Sequence, residues 1–462
     1  MMTNKNKKIK IHFVGIGGIG MSGIAELMHK IGYDVMGSDI KESENIRRLK
    51  DNGIKINIGH HKKNLQNVHS VVYSSAINKN NPEIREAKKK QIPIVSRADM
   101  LSELMKNKKC IAIAGSHGKT TTTSLVGNIL ESGKLDPTIV NGGIINSFSK
   151  NNKFGKGKWM VVEADESDGS FLRLPHEISI ITNLDIEHLD YYKSLRNLHN
   201  AFNQFILNLP FYGISIINED DKNLKKIIKQ NNTRKIITFS KKNKNANIVI
   251  ENIFFKEHFS YFTLKFNTPM ANYIGSYTYK IKAIGLHNIY NGTASILAGI
   301  LAGVKNAYIK KALKNYIGVK RRFTYLGKIN LSKIYDDYAH HPTEIDVTIS
   351  GAKQINKNII VVFQPHRYSR NKILFNDFIK VLSKIKSLYL LDTYSAGEKK
   401  IKGFESKNIY NKLKQINKTI IYVGTKNINN IIYRETLKKN LIIFMGAGSI
   451  SKIAHKFMQI NE

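Results

Sequence analysis

One cysteine in 462 residues leaves nothing from which to build an internal disulfide framework or a cysteine-ligated metal cluster. That residue, Cys110, opens the apolar run Cys110-Ile-Ala-Ile-Ala114 and reads as a buried core thiol. Apolar residues come in short runs, none reaching the roughly eighteen needed to cross a bilayer. The opening MMTNKNKKIKIHFVG passes from a few basic residues straight into a strand-like run and glycines, a poor match to a secretory signal. These absences give the expectation of a cytoplasmic protein.

Acidic residues are also scarce: 35 Asp+Glu stand against 73 Lys+Arg, a formal charge of +38. Taken alone, such a balance suggests nucleic acid or an anionic membrane surface as partner. The distribution argues against both. Arginines are few, there is no basic arm and no aromatic-interleaved basic motif. The lysines are scattered beside Asn and Ile, as in Lys241-Lys-Asn-Lys-Asn-Ala-Asn247, a bias that an AT-rich coding sequence also produces. The positive field still favours small polyanions and makes their binding salt-sensitive.

The length predicts about three domains, and the pattern divides at residues 1–106, 107–318 and 319–462. The first block alternates strand and helix: Ile9-Lys-Ile-His-Phe-Val14, a glycine turn, a helix through Met28, then the strand Tyr33-Asp-Val-Met-Gly37. That rhythm predicts a Rossmann-like, doubly wound parallel sheet. The second block opens on Ile111-Ala-Ile-Ala114 and has further buried strands at Trp159-Met-Val-Val162 and Ile178-Ser-Ile-Ile181. Its residues 245–282 alternate as antiparallel strands do. The third block repeats strand then helix from Ile359 to Met445. The expectation is an α/β protein with three doubly wound domains, the central one resembling a phosphate-loop ATPase.

Gly15-Ile16-Gly17-Gly18-Ile19-Gly20 is the pattern that lets a backbone turn tightly against a diphosphate and aim a helix N-terminus at it, and Asp39 lies at the spacing of a residue that reaches a ribose hydroxyl. Ala114-Gly-Ser-His-Gly-Lys-Thr-Thr-Thr-Thr123 follows a strand and precedes a helix, as a phosphate loop requires. In it Gly115, Ser116, His117, Gly118, Thr120 and Thr121 surround Lys119, a point charge for the outer phosphates of ATP, and the Thr120 hydroxyl can bind Mg²⁺. The next strand ends in Glu163-Ala-Asp165-Glu166-Ser-Asp168, a self-repelling cluster that a cation would relieve, with Glu163 the first candidate ligand. His188, in Asn183-Leu-Asp-Ile-Glu187-His188, is a candidate second ligand. Two nucleotide-type loops argue against a simple nicotinamide oxidoreductase, which needs one. A nucleic-acid-stimulated ATPase would leave the first glycine turn unexplained.

In order along the chain, these motifs and Gly285-Leu-His-Asn-Ile-Tyr-Asn291, Arg321-Arg-Phe323, Asp336-Asp-Tyr-Ala-His-His-Pro342 and Gln364-Pro-His-Arg-Tyr-Ser-Arg370 resemble the Mur ligases over nearly the full length. Within that family the last two motifs are similar to those of members that join L-alanine to UDP-N-acetylmuramate, the rival being members that attach a preformed murein peptide. The resemblance implies ATP and Mg²⁺ as cofactors, Lys119 on the ATP phosphates, Thr120 and Glu163 on one Mg²⁺ and His188 on a second. It further implies that Asn288, Arg322 and Asp337 serve the nucleotide and that His366, Arg367 and Arg370 stand near the amino acid. Gly15, Gly17, Gly18, Gly20 and Asp39 would hold the UDP-sugar. Several related ligases carry a carbamylated lysine, but the segment Phe202-Asn-Gln-Phe-Ile-Leu-Asn-Leu-Pro210 has none, so that modification is not expected.

Overall fold

The computed structural model describes residues 9–461 except 75, 79, 146–149, 232, 257, 417–418 and 425–427. The short apolar runs become the strands of three sheets. The first contains β1 (Lys10–Val14), β2 (Asp34–Asp39), β3 (Lys55–Ile58), β4 (Ser70–Tyr73) and β5 (Ile94–Ser96), in the order β3-β2-β1-β4-β5 with every pairing parallel. The order reverses beside β1, and in open α/β sheets such a reversal opens a ligand crevice at the carboxyl ends of the strands. Val14 pairs with Ser38 on one side and Tyr73 on the other, so the turn that starts at Gly15 leaves the sheet at that reversal.

The second sheet contains β6 (Lys109–Ala114), β7 (Thr138–Ile145), β8 (Lys150–Lys153), β9 (Trp159–Glu163), β10 (Ile178–Ile181), β11 (Ile214–Asn218), β12 (Lys235–Ser240), β13 (Ile248–Lys256), β14 (Phe259–Met270) and β15 (Tyr273–Ile281). Their order is β15-β14-β13-β12-β11-β10-β6-β9-β7-β8, parallel from β13 across to β7 and antiparallel at the β8 edge. The links between β13, β14 and β15 are far too short for a parallel crossover, so that ribbon folds back on itself, as the alternation of residues 245–282 predicts. β10 is buried at every position and β6 at all but its first, the pattern of parallel strands covered on both faces.

The third sheet contains β16 (Thr324–Ile329), β17 (Ser332–Asp337), β18 (Ile359–Phe363), β19 (Ser387–Leu390), β20 (Ile420–Tyr422) and β21 (Leu441–Met445), ordered β16-β17-β21-β18-β19-β20 and antiparallel only between β16 and β17. The expected α/β class, with mostly parallel sheets between helices, holds in all three.

By its internal packing the chain forms two compact units. One comprises the residues up to Glu251 with Thr263–Tyr279 and Tyr290–Asn315, and the other comprises Asn252–Phe262, Lys280–Ile289 and Tyr316–Glu462. A continuous apolar cluster runs through the first unit, joining Met21, Leu101 and Met105 to Val140, Met160 and Phe205. Cys110 lies in that cluster, and burial pushes its thiol up to about 12, the inert core residue expected of it. Among the described residues no helix is long and apolar enough to cross a membrane.

Candidate active site

β6 delivers the chain to Gly115 at φ +131°, and Gly118 turns it at φ +82° into the helix Lys119–Ser132. Both angles lie where side-chain-bearing residues are strained, and a Cβ on Gly115 would fall 2.2 Å from Thr182 Oγ1. The segment that leaves β10, the neighbour of β6, moulds this loop. Ser116 N donates to Asn183 O at 3.1 Å and the Thr182 hydroxyl to His117 O at 2.6 Å. Asn183 exchanges two hydrogen bonds with the His117 backbone, and Asp185 N donates to Ser116 Oγ at 2.8 Å. Thr122 N is the first amide bonded inside the new helix, to Gly118 O, so helix geometry leaves the N–H groups of Lys119, Thr120 and Thr121 facing the loop, the arrangement that suits a phosphate.

Lys119 curls back over this loop. Its ammonium donates to Gly115 O at 2.5 Å, to Ser116 O at 3.2 Å and to Glu166 Oε1 at 2.8 Å. Burial works against the charge, but Glu166, Glu163 and Asp165 outweigh it and hold the lysine's pKa above its ordinary value. Thr120 Oγ1 donates to Glu163 Oε1 at 3.0 Å, bringing that expected pair together. His188 joins a different pair. Its donor nitrogen and carboxylate oxygens of Glu166 and Glu187 all lie within 4.8 Å of one another, and its backbone sits at φ +57°, a left-handed value uncommon outside glycine. Glu166 Oε2 is buried with no hydrogen-bond partner, a carboxylate oxygen that a cation would satisfy, so the donors fit a hard divalent metal.

Sequence reasoning saw Glu166 only as one of four clustered carboxylates and did not single out Glu187 or Asn183. The available signal was that both follow a buried strand, as the phosphate loop does. What raises them above other polar loop residues is the adjacency of β10 and β6.

At the first glycine turn, Gly15 N and Ile16 N donate to Ser38 O at 2.8 and 3.0 Å, and Gly15 has φ +79°. Asp39 is set on the turn itself: Oδ2 accepts from Gly17 N at 2.8 Å and Oδ1 from Ile40 N at 2.8 Å. A Cβ on Gly17 would fall 2.9 Å from that carboxylate, whereas Gly18, which caps the helix Ile19–Lys30, has nothing closer than 3.5 Å.

Within the second unit, Asp337 Oδ2 accepts from Phe323 N and Oδ1 from Ala339 N, both at 2.7 Å, fixing the turn in which Arg321 and Phe323 have positive φ. Burial raises Asp337 to about 6. The adjacent Arg322 pairs with Glu344 at 3.3 Å and lies over the Tyr338 ring. Asn288 donates from its amide to Ile284 O at 2.8 Å. His366 stacks on Tyr394 and meets Arg370 Nη1 at 3.0 Å, and burial together with that guanidinium lowers the imidazole to about 4. Arg367 stands beside them at φ +70°. The structure thus clusters His366, Arg367 and Arg370, and likewise Arg322 with the Asp337 turn.

Three family descriptions match in series: "Mur ligase family, catalytic domain" at residues 10–109, "Mur ligase middle domain" at 113–299 and "Mur ligase, glutamate ligase domain" at 321–448. The chain is 45% identical over 456 residues to the UDP-N-acetylmuramate–L-alanine ligase of Rickettsia felis, covering 96% of this chain and 95% of that one. It is likewise 45% identical to the ligase of that name from Rickettsia prowazekii, covering 96% and 92%. Among solved structures, the UDP-N-acetylmuramate-alanine ligase of Thermotoga maritima superposes with a TM-score of 0.81 at 29% identity, over 98% of this chain and 99% of that one.

Proposed function

The chain belongs to the Mur ligase family, and we propose that it joins L-alanine to the carboxylate of UDP-N-acetylmuramate with ATP converted to ADP and phosphate, a step of peptidoglycan precursor synthesis. The observation that carries the reading is Lys119. Its charge is held by three carboxylates at the mouth of a glycine-moulded loop, in a chain so close in sequence to ligases of that name. Residues 1–106 take the sugar nucleotide, 107–318 the ATP, and 319–462 the amino-acid side of the reaction.

A carboxylate is a poor electrophile, so amide formation in water requires activation. An oxygen of the lactyl carboxylate attacks the γ-phosphorus, ADP leaves, and an acyl phosphate forms. The uncharged amine of L-alanine then adds to the acyl carbon, and inorganic phosphate departs from the tetrahedral intermediate. Two anions must meet in the first step, and Lys119 with the free N–H groups of Lys119, Thr120 and Thr121 neutralises the phosphate side of that encounter. Thr120 with Glu163, and Glu166 with Glu187 and His188, are the two donor sets that would hold Mg²⁺. When bound, the metal supplies further neutralisation of nucleotide and carboxylate. Asp337 holds the turn that presents Arg322, and Asn288 serves the nucleotide from the same unit. Arg367 and Arg370 receive the amino-acid carboxylate, beside an imidazole that stays neutral well below pH 7.

Phosphate release from Mg-ATP tests the reading. Release that needs both UDP-N-acetylmuramate and L-alanine is expected. Release with a murein tripeptide and not with L-alanine would move the chain to peptide attachment, and none with either acceptor from folded, ATP-binding protein would overturn the proposal.

A further inference from the structure

Arg97 opens the helix Arg97–Met105, whose N-cap is Ser96. The acidic residue of that first turn, Asp99, is engaged by Arg173 at 2.9 Å. Arg97 itself has no ion pair or side-chain hydrogen bond among the described residues. Its guanidinium is nevertheless only partly exposed and has a defined seat: a Cβ built on Gly20 would fall 2.8 Å from Nη1 and 3.6 Å from Cζ. The last glycine of the turn therefore keeps room for a cation, a use distinct from the helix–strand packing usually assigned to that position.

Gly20 lies in the first turn of the helix Ile19–Lys30, which has no acidic residue there and no side-chain cap. The positive end of a helix and a partly buried guanidinium thus share one place, and among the described residues no carboxylate forms an ion pair with either. A desolvated charge is costly unless paired, and the pair that suits both features is an oxyanion. The helix that Arg97 opens also meets the central block: Arg173, at the end of the short turn Ser170–Arg173 that follows the acidic loop, holds Asp99 at 2.9 Å. Arg97 therefore stands between the glycine turn and the segment that follows the loop carrying the partners of Lys119.

We propose that Arg97 is a substrate-binding residue that takes oxygens of the sugar nucleotide's diphosphate beside Gly20, directing the rest of that substrate toward Lys119. The inference rests on the reading of residues 1–106 as the sugar-nucleotide site. Guanidinium–phosphate contacts are charge-assisted and often bidentate, so their loss weakens binding by about 10- to 100-fold.

The test is calorimetry on the full chain, with saturating non-hydrolysable ATP analogue to cover the second nucleotide site and UDP or uridine as the probe. Arg97→Ala is expected to bind UDP about 10- to 100-fold more weakly and uridine as the wild type does, with a shallower dependence of UDP binding on salt and partial recovery in Arg97→Lys. Unchanged UDP affinity in folded Arg97→Ala would overturn the proposal. Equal loss of UDP and uridine would do so too, because it would mark Arg97 as a brace between domains. Failure of the wild type to bind UDP would instead bring down the reading of the first domain, and this inference with it.

Discussion

The side-chain amide of Asn183 closes two hydrogen bonds on a single residue of the phosphate loop, accepting from His117 N and donating to His117 O, each at 2.9 Å. The His117 unit is held from both of its polar ends, which fixes the approach to Gly118 and so the direction of the helix that follows. Five residues further on, the same segment presents His188 to Glu166 at 3.6 Å. One loop thus moulds the phosphate cradle and supplies the candidate metal donors, so a disturbance at Asn183 is felt by both.

Asn183→Asp keeps the acceptor for His117 N but sets a carboxylate against His117 O. Losing one hydrogen bond and adding that repulsion amounts to roughly 1.5–3 kcal/mol. The expected outcome is a fall in kcat/KM for ATP of about 10- to 100-fold with KM for L-alanine little changed. Steady-state kinetics with each substrate varied in turn decides it; wild-type ATP kinetics would mean that the loop holds its shape without Asn183.

Lys119 and Glu166 form a pair with side chains 14% and 1% exposed, so removing one member strands the other. Lys119→Met should abolish phosphate release and also lower stability by about 3 kcal/mol, because Glu166, whose pKa burial already raises, loses its counter-charge and must take up a proton or stay buried unpaired. Adding Glu166→Gln should restore most of the stability and none of the activity. Recovery of turnover in the double variant, followed beside thermal denaturation, would refute the assignment of Lys119 to the phosphates.

Much of this was legible in the sequence because each glycine-rich turn sits between a strand and a helix that announce themselves by run length and burial. Gly15–Gly20 and Gly115–Thr121 are contiguous, and contiguous motifs survive without knowledge of the fold. Asn183, Glu187 and Arg97 were not legible as candidate site residues, because what singles them out is β10 lying beside β6 and a helix start lying over Gly20. Asp39 and Asp337 show the converse. Both were expected to face ligands, and in the structure both carboxylates also hold backbone N–H groups of the turns they belong to, a use that spacing does not reveal.

The first sheet carries a buried polar centre at Glu83, whose side chain has no solvent exposure. Its Oε2 accepts from Ser38 Oγ at 2.6 Å and lies 3.5 Å from His12 Nε2, while Oε1 accepts from Asn64 Nδ2 at 2.5 Å. Burial opposes the carboxylate, but the His12 imidazole close beside it and the hydrogen bonds from Ser38 and Asn64 outweigh it, lowering the pKa from 4.5 to about 2. Between those values the folded state binds fewer protons than the unfolded one. The stability Glu83 contributes is therefore complete above about pH 5 and is lost as pH falls toward 2. Glu83→Gln should lower stability near neutrality by about 3 kcal/mol, and the gap from the wild type should narrow steadily below about pH 4.5. Urea melts at several pH values measure that gap; a constant difference would show that the charge of Glu83 contributes nothing.

Two glycines with nearly the same backbone angle separate conformational strain from function. Gly118 has φ +82° and Gly53 has φ +85°. A Cβ on Gly53 would meet nothing within 4 Å, whereas on Gly118 it would fall 2.8 Å from Asn291 Oδ1. Alanine at either position takes a left-handed strain of about 1–2 kcal/mol, so both variants should lose a few degrees in Tm. Only Gly118→Ala should also weaken ATP-analogue binding, by about tenfold or more, because Asn291 or the loop must shift at the point where the helix N-terminus meets phosphate. Trimming the obstacle in Gly118→Ala/Asn291→Ala would relieve the clash and leave the strain. If that pair does not regain Tm over Gly118→Ala alone, the steric part of the argument fails and the left-handed backbone at the head of the phosphate helix accounts for the whole requirement for glycine.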